Sequence, residues 1–428
     1  MKKLHKAAFN FLKKKIRKLF LLCRLGQIER NYEKNLIGIR KKSKVKVAFF
    51  VIHDSIWKCD EIYWLMTKHV DFEPIIIICP FIPQRKQPFM KQEMEQAYKH
   101  FSSRGYNVVK TYDEISNEWL DVKKVVQPDV VFFTYPHKLT KSEYYIDSYL
   151  DKLTCYIPYG MMAANIQEKQ YNQKFHNLIW RCYYETKIHK TMARKYALNK
   201  ARNVIVTGYP MCDIFLNKAY IPTDKWKIKD KKIKRIIWAP HHSIEDDDKE
   251  LAYSNFLTHF QFMLDVAKQY EDKLQIAFKP HPVLRAKLYQ HDDWGKDRTD
   301  LYYDKWKYLG NGQLEEGDYE DLFLTSDAML LDSVSFISEY LYTGQPSIFL
   351  VRDETIKNKF NEYGKLSFDF VYKAHDLDDI LRFISDTVLN GNDPLLVNRM
   401  NFVNQYLIPP NNQTAGLTIF NSLISEIR

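Results

Sequence analysis

"LTSDAMLLDSVSFISEYLYTGQPSIFLV", residues 324–351, contains a complete folding unit. The apolar run "AMLL" is followed by a polar turn, a helix-spaced stretch near 336 to 343, the turn "TGQP" and a second apolar run, "PSIFLV". Short buried runs separated by helices are strands of a parallel sheet, with the helices as crossovers. The same alternation runs outward in both directions. Upstream, "RIIWAPHH" (235–242) precedes a helix near Ser254 to Tyr270, and "LQIAFKPHP" (274–282) follows it.

Beyond the basic linker "DKWKIKDKKIK" (224–234), the pattern begins again nearer the amino terminus. "KVKVAFFVIH" (44–53), "EPIIIICPF" (73–81), "NVVKTY" (107–112), "DVVFFTYP" (129–136), "LTCYIPYG" (153–160) and "NVIVTGYP" (203–210) read as strands. Helices are expected over Lys91 to Ser102 and over a long stretch from about Gln173 to Asn199. The expected organisation is a basic segment (1–44), a first doubly wound α/β domain (45–222) and a second (223–428) that ends in a helix after Pro409 and Pro410. A chain of 428 residues, 45% hydrophobic and 15% aromatic, has ample material for two cores.

The net charge of +11 is unevenly distributed. Residues 1–44 hold eleven Lys and four Arg against Glu29 and Glu33, which is 15 − 2 = +13, so the remainder carries 11 − 13 = −2. A nearly neutral body without interleaved aromatic and basic residues argues against nucleic acid as partner. Within the basic segment, Phe9, Leu12, Ile16, Leu19 and Cys23 recur at helical spacing with lysines and arginines between them. That is the pattern of an amphipathic helix lying on an anionic membrane surface, and it is too short in apolar length to span one. It also lacks the unbroken apolar stretch and cleavage site of a secretory signal. Six cysteines without a CxxC pair fit a reducing compartment, and the expected location is peripheral, on the cytoplasmic face of the membrane.

Ligands of open parallel sheets bind beyond the carboxyl ends of the strands. Three polar motifs fall there in the second domain: "HHS" after "IIWA", "KPHP" after "IAF" and "DSVSFISE" after "AMLL". Pro280 and Pro282 fix His281 in a stiff loop, because neither can donate to a ladder and both restrict their neighbours. A histidine so placed suits proton transfer near neutral pH or a hydrogen bond to phosphate. Ser333 and Ser335 open a helix, where hydroxyl and amide groups suit an anion, and Glu339 lies one turn further on, placed for ribose hydroxyls. Plain helix capping by Ser335 would explain the same residues without a ligand. The acidic run "EDDD" (245–248) reads as a solvated turn, "NQT" at 412 matters only in a secreted chain, and His53, His137 and His176 read singly as structural.

As a set, "WAPHH", "KPHP" and "SDAMLLDSVSFISEYLYTGQPSIF" resemble the CDP-glycerol glycerophosphotransferase family, which builds teichoic-acid-like polymers. "VTGYPMCDIF" (206–215) resembles that family's Gly-x-Pro-x-x-Asp segment, and the similarity runs in order from about residue 45 to 390. The resemblance implies a GT-B fold, two Rossmann-like domains facing a cleft, without a metal or other cofactor. It implies His242 and His281 as the catalytic pair, with their roles unassigned. Donor binding would fall to Lys279, Ser326, Asp332, Ser333, Ser335 and Glu339, and first-domain cleft positions to Gly160, Gly208 and Asp213. The chain departs from the family pattern at Ser333 and Val334, and at Ser243, where an arginine is common. The tail "PPNNQTAGL" likewise lacks the family's usual Asp-Gly and Arg.

The implied reaction is transfer of glycerol phosphate, or a related alditol or sugar phosphate, from a CDP-linked donor to a hydroxyl of a lipid-linked acceptor, releasing CMP. A GT-B glycosyltransferase using a nucleotide sugar is the rival within the same architecture, since "SxxxE" followed by "GxP" serves either. A membrane-docked binding module is the non-enzymatic alternative; it would leave both histidines dispensable.

Overall fold

The computed structural model describes residues 23–82, 90–244 and 252–428. The chain divides into two compact units. In the first, β1 (Val45–Val51), β2 (Phe72–Ile78) and β3 (Val108–Lys110) are followed by a small hairpin, β4 (Tyr112–Asp113) and β5 (Glu118–Trp119). The sheet then continues with β6 (Val130–Phe133), β7 (Leu153–Tyr156), β8 (Arg181–Tyr184) and β9 (Val204–Val206). Its spatial order is β3-β2-β1-β6-β7-β8-β9, and every pairing is parallel. The second unit orders β12 (Gly312–Leu314), β11 (Leu274–Phe278), β10 (Lys234–Ala239), β13 (Ala328–Leu331), β14 (Ser347–Leu350) and β15 (Tyr372–Ala374) in one parallel sheet.

Counted within its own unit, the second sheet has the doubly wound order 3-2-1-4-5-6. The chain winds one way from β10 and the other way from β13, and the switch between the two directions lies between these neighbouring strands. Loops leaving strands at a switch diverge and open a crevice at the carboxyl edge. Helices cover both faces of such a sheet, so its strands carry continuous apolar runs. Ile236, Trp238, Phe278 and Leu330 are all buried, with the Trp238 ring 4.9 Å from Phe278 and 5.7 Å from Trp306. This aromatic floor gives the loops above it a rigid base.

Three sequence expectations are corrected. The stretch 173–199 is not one helix: Lys174–Leu178 and Lys187–Tyr196 flank strand β8, whose Cys182, Tyr183 and Tyr184 are buried between β7 and β9. Pairing on both edges outweighs the helical spacing of the flanks. The final helix, Ala415–Ile427, belongs to the first unit and not the second. It is tied there by Arg181 to Glu426, by Arg428 to Asp71 at 2.7 Å, and by Thr414 Oγ1 donating to Glu61 at 2.8 Å. Gly208 (φ +89°) makes room for this return: a Cβ there would stand 2.6 Å from Pro409 Cγ. The second unit accordingly runs from Cys212 to Ile408, with the short segment Met161–Ile166, and takes Asp213 from the first domain.

The third correction concerns only the carboxyl-terminal half of the basic segment. Residues 23–39 form a helix whose Leu25, Ile28, Tyr32 and Ile39 are buried, and the Tyr32 hydroxyl donates to Leu178 O at 2.7 Å. Its apolar face is spent on its own unit. The amphipathic pattern over residues 1–22 lies outside the described residues. No helix among the described residues is long and apolar enough to cross a membrane.

Candidate active site

The loops leaving β10 and β11 run side by side. Lys279 N–H donates to Trp238 O at 2.8 Å and His281 N–H to Pro240 O at 3.1 Å, extending the ladder one step past each strand. The strand pairing thereby brings three imidazoles together: His242 lies 4.4 Å from His281 and 4.2 Å from His241, centroid to centroid, and His241 lies 5.3 Å from His281.

What the rings present is set by backbone amides. His281 caps the helix Pro282–Tyr289, its Nδ1 accepting the Val283 N–H at 3.1 Å. His241 Nδ1 accepts the Ser243 N–H at 3.2 Å and lies 2.8 Å from the Ser243 hydroxyl. A neutral imidazole whose Nδ1 is an acceptor carries its proton on Nε2. Burial holds both rings neutral, keeping the His281 pKa near 3 and that of His241 far below its ordinary value, with neighbouring histidines adding to the effect. Three nitrogens of the cluster lie within 4.8 Å of one another, a spacing a metal could draw on. Two of the rings, however, offer Nε2–H donors. A metal ligand needs the lone pair on Nε2, whereas an anionic oxygen needs the proton.

Asp332 holds this arrangement from below. It is fully buried; Oδ1 accepts the His241 N–H at 2.5 Å and Oδ2 the Asn255 N–H at 2.6 Å. The carboxylate so joins the end of β13 to the loop of β10 and to the start of the helix Phe256–Gln269. Burial pushes its pKa up to about 7 against the lowering effect of those two amides. Its two oxygens are engaged by these backbone amides, which makes it a support beneath the imidazoles.

Ser333 is the cap of the helix Val334–Tyr340, yet its hydroxyl makes no capping bond; it lies 3.4 Å from the Ser335 hydroxyl. Simple capping therefore does not account for the pair. Glu339 is buried and accepts from the Tyr319 hydroxyl at 2.5 Å. The Lys279 amine, also buried, donates to Gly317 O at 2.7 Å, and burial lowers its pKa. Ser326 is misassigned to the site: it precedes β13, at the edge opposite the histidines, and its hydroxyl is spent on Phe323 O and the Tyr340 hydroxyl, 2.9 and 2.7 Å away.

The family model described as CDP-Glycerol:Poly(glycerophosphate) glycerophosphotransferase matches residues 156–370. The chain belongs to this family. The matched glycerophosphotransferase segment takes in every motif just described. A curated relative, the teichoic acid glycerol-phosphate transferase of Staphylococcus aureus, is 25% identical over 242 residues, 53% of this chain and 57% of that protein. The chain thus spans somewhat over half the length of the curated relative it matches. Among solved structures, the wall teichoic acid polymerase TagF aligns over 98% of both chains at 14% identity, with a TM-score of 0.59. A structure titled as a putative UDP-N-acetylglucosamine 2-epimerase from Listeria monocytogenes aligns over 90% of this chain and 97% of that one at 15% identity, with a TM-score of 0.57. At such identity these two establish the GT-B-like fold alone.

Sequence reasoning took His242 and His281 but passed over His241, whose place in "PHHS" and whose ring, 4.2 Å from that of His242, make it part of the same cluster. It also missed Asn255 and Tyr319, which have no motif of their own. Gly208 serves the packing at Pro409, Asp213 opens a short helix in the second unit, and nothing lies near the missing side chain of Gly160. His176 is a buried core residue beside Tyr156 and Phe175, and His53 packs on Phe81 at 4.5 Å.

Proposed function

We propose that this chain transfers glycerol phosphate, or a closely related alditol phosphate, from a CDP-linked donor to a hydroxyl of a membrane-linked acceptor. The observation that carries the reading is the pair of Nε2–H donors on His241 and His281 beside His242, at the switch point of the nucleotide-type sheet. His242 is the general base. It takes the proton of the acceptor hydroxyl as the oxygen attacks the phosphorus that bears glycerol. The P–O bond to CMP breaks, CMP leaves with the electron pair, and a phosphodiester remains. His281 and His241 donate to the phosphoryl oxygens, where charge develops, and the Ser333 and Ser335 hydroxyls add to that set. Phosphoryl transfer draws mainly on such positioning and charge stabilisation. Glu339, oriented by Tyr319, takes ribose hydroxyls.

The deciding experiment offers purified protein a panel of CDP- and UDP-linked donors with acceptor-bearing membranes and identifies the released nucleotide. CMP from a CDP-alditol is the expected product. Release of CDP or UDP in its place assigns the chain to glycosyl transfer, and no nucleotide from any donor would sink the enzymatic reading.

The charge of +13 in residues 1–44 supports a peripheral seat on an anionic membrane surface. Sedimentation with phosphatidylglycerol-rich vesicles, to which each surface-lying Lys or Arg contributes about 1 kcal/mol, should bring down the full chain at low salt. A form lacking residues 1–22 should stay in solution. Equal sedimentation of the two would remove this role from the segment.

A further inference from the structure

The groups placed at the phosphoryl oxygens so far are neutral, whereas the substrate they are to hold carries a diphosphate. Lys279, the cation the sequence singled out, is turned to Gly317 O. We infer that Arg352 supplies the positive charge that meets the donor's diphosphate. The inference rests on the CDP-linked donor proposed above.

Placement carries the argument first. Strand β14 ends at Leu350 and pairs with β13, Leu331 opposite Phe349, so Arg352 leaves the sheet beside Asp332, Ser333 and Ser335. Strands β11, β10, β13 and β14 are consecutive in the sheet. Their carboxyl ends therefore deliver His281, then His241 and His242, then the serines, then Arg352, along one edge.

Geometry narrows the placement further. Arg352 Nη1 donates to Ser243 O at 3.2 Å, against the residue immediately after His242. A guanidinium keeps its charge while it hydrogen-bonds, so the bond to this carbonyl holds a positive charge beside His242. Ser243 is fully buried, its hydroxyl accepting the Tyr253 N–H at 2.9 Å, so the carbonyl that anchors Arg352 is itself held.

Initial rates of CMP release from CDP-glycerol, with competition by CDP and by cytidine, test this. Arg352→Gln should lower kcat/KM by about 10²-fold, the scale set by loss of one charged or oxyanion-binding donor. It should weaken CDP as a competitor by at least about tenfold, the effect of roughly one charge-assisted hydrogen bond, while leaving cytidine within about twofold. Arg352→Lys should recover part of both, since it restores charge without the planar fork. An unchanged kcat/KM in Arg352→Gln overturns the inference, as does equal weakening of CDP and cytidine, which would mark a role in loop structure alone. Should wild type release no CMP, the proposed donor is wrong. Arg352 is then read by calorimetry with inorganic pyrophosphate: weaker binding to Arg352→Gln than to wild type upholds the diphosphate contact, and equal binding ends it.

Discussion

His281→Gln should retain a measurable part of the transfer rate, while His281→Ala and His242→Gln should each lose about 10²- to 10⁴-fold in kcat, the usual worth of a positioned acid or base. The asymmetry follows from the tautomer. His281 Nδ1 is occupied by the Val283 amide, so its useful atom is an N–H, and a glutamine amide offers an N–H at similar reach. A base cannot be replaced in that way, because an amide nitrogen has no available lone pair. Initial-rate measurement of CMP release on the three variants decides the matter. If His242→Gln retains activity and His281→Gln does not, the two roles are exchanged.

Asp332→Asn should be destabilising by about 2–3 kcal/mol near pH 4, because one amide N–H that now meets a carboxyl oxygen would meet an NH₂ group instead. The pH dependence is the sharper signature. The carboxyl has its pKa raised by burial from the ordinary 3.8 to about 7 in the folded chain. A carboxyl raised in this way favours folding fully below about pH 4, and that contribution is lost as pH climbs from about 4 to about 7, by an amount on the order of 4 kcal/mol. Asparagine does not titrate, so this component disappears from its stability profile. Urea unfolding of wild type and Asp332→Asn at pH 4 and pH 7.5 reads both effects, the deficit of the variant shrinking at the higher pH. Parallel profiles for the two proteins would show that Asp332 does not titrate in this window.

These outcomes bear on what the sequence could disclose. Parallel alternation, the strand-end placement of "HHS", "KPHP" and "DSVS", and the partnership of His242 with His281 were all legible, because each depends on local pattern and on one topological rule. Side-chain purpose was less legible. Asp332 and Ser326 flank the same strand and differ only in which end they occupy and what they touch. Asp332 read as a donor contact because a buried carboxylate gripped by two distant amides leaves no trace in the sequence. Strand β8 was hidden by flanking helices of similar spacing, and its identity rests on neighbours 26 and 22 residues away, Cys155 opposite Arg181 and Cys182 opposite Val204. The division of labour between His281 and His242 depends on a single amide two residues along from His281.

The return of the helix Ala415–Ile427 to the first unit has a consequence for synthesis. The second unit is almost contiguous in sequence and can close as soon as it has emerged. The first unit cannot do the same, since Glu61, Asp71 and Arg181 wait for partners that are translated only after the whole second unit. Chains grow at about 5–20 residues per second and domains fold as they appear. The amino-terminal sheet therefore spends on the order of 10 to 40 seconds with the surface beneath that helix uncovered, the period during which a chaperone would find it.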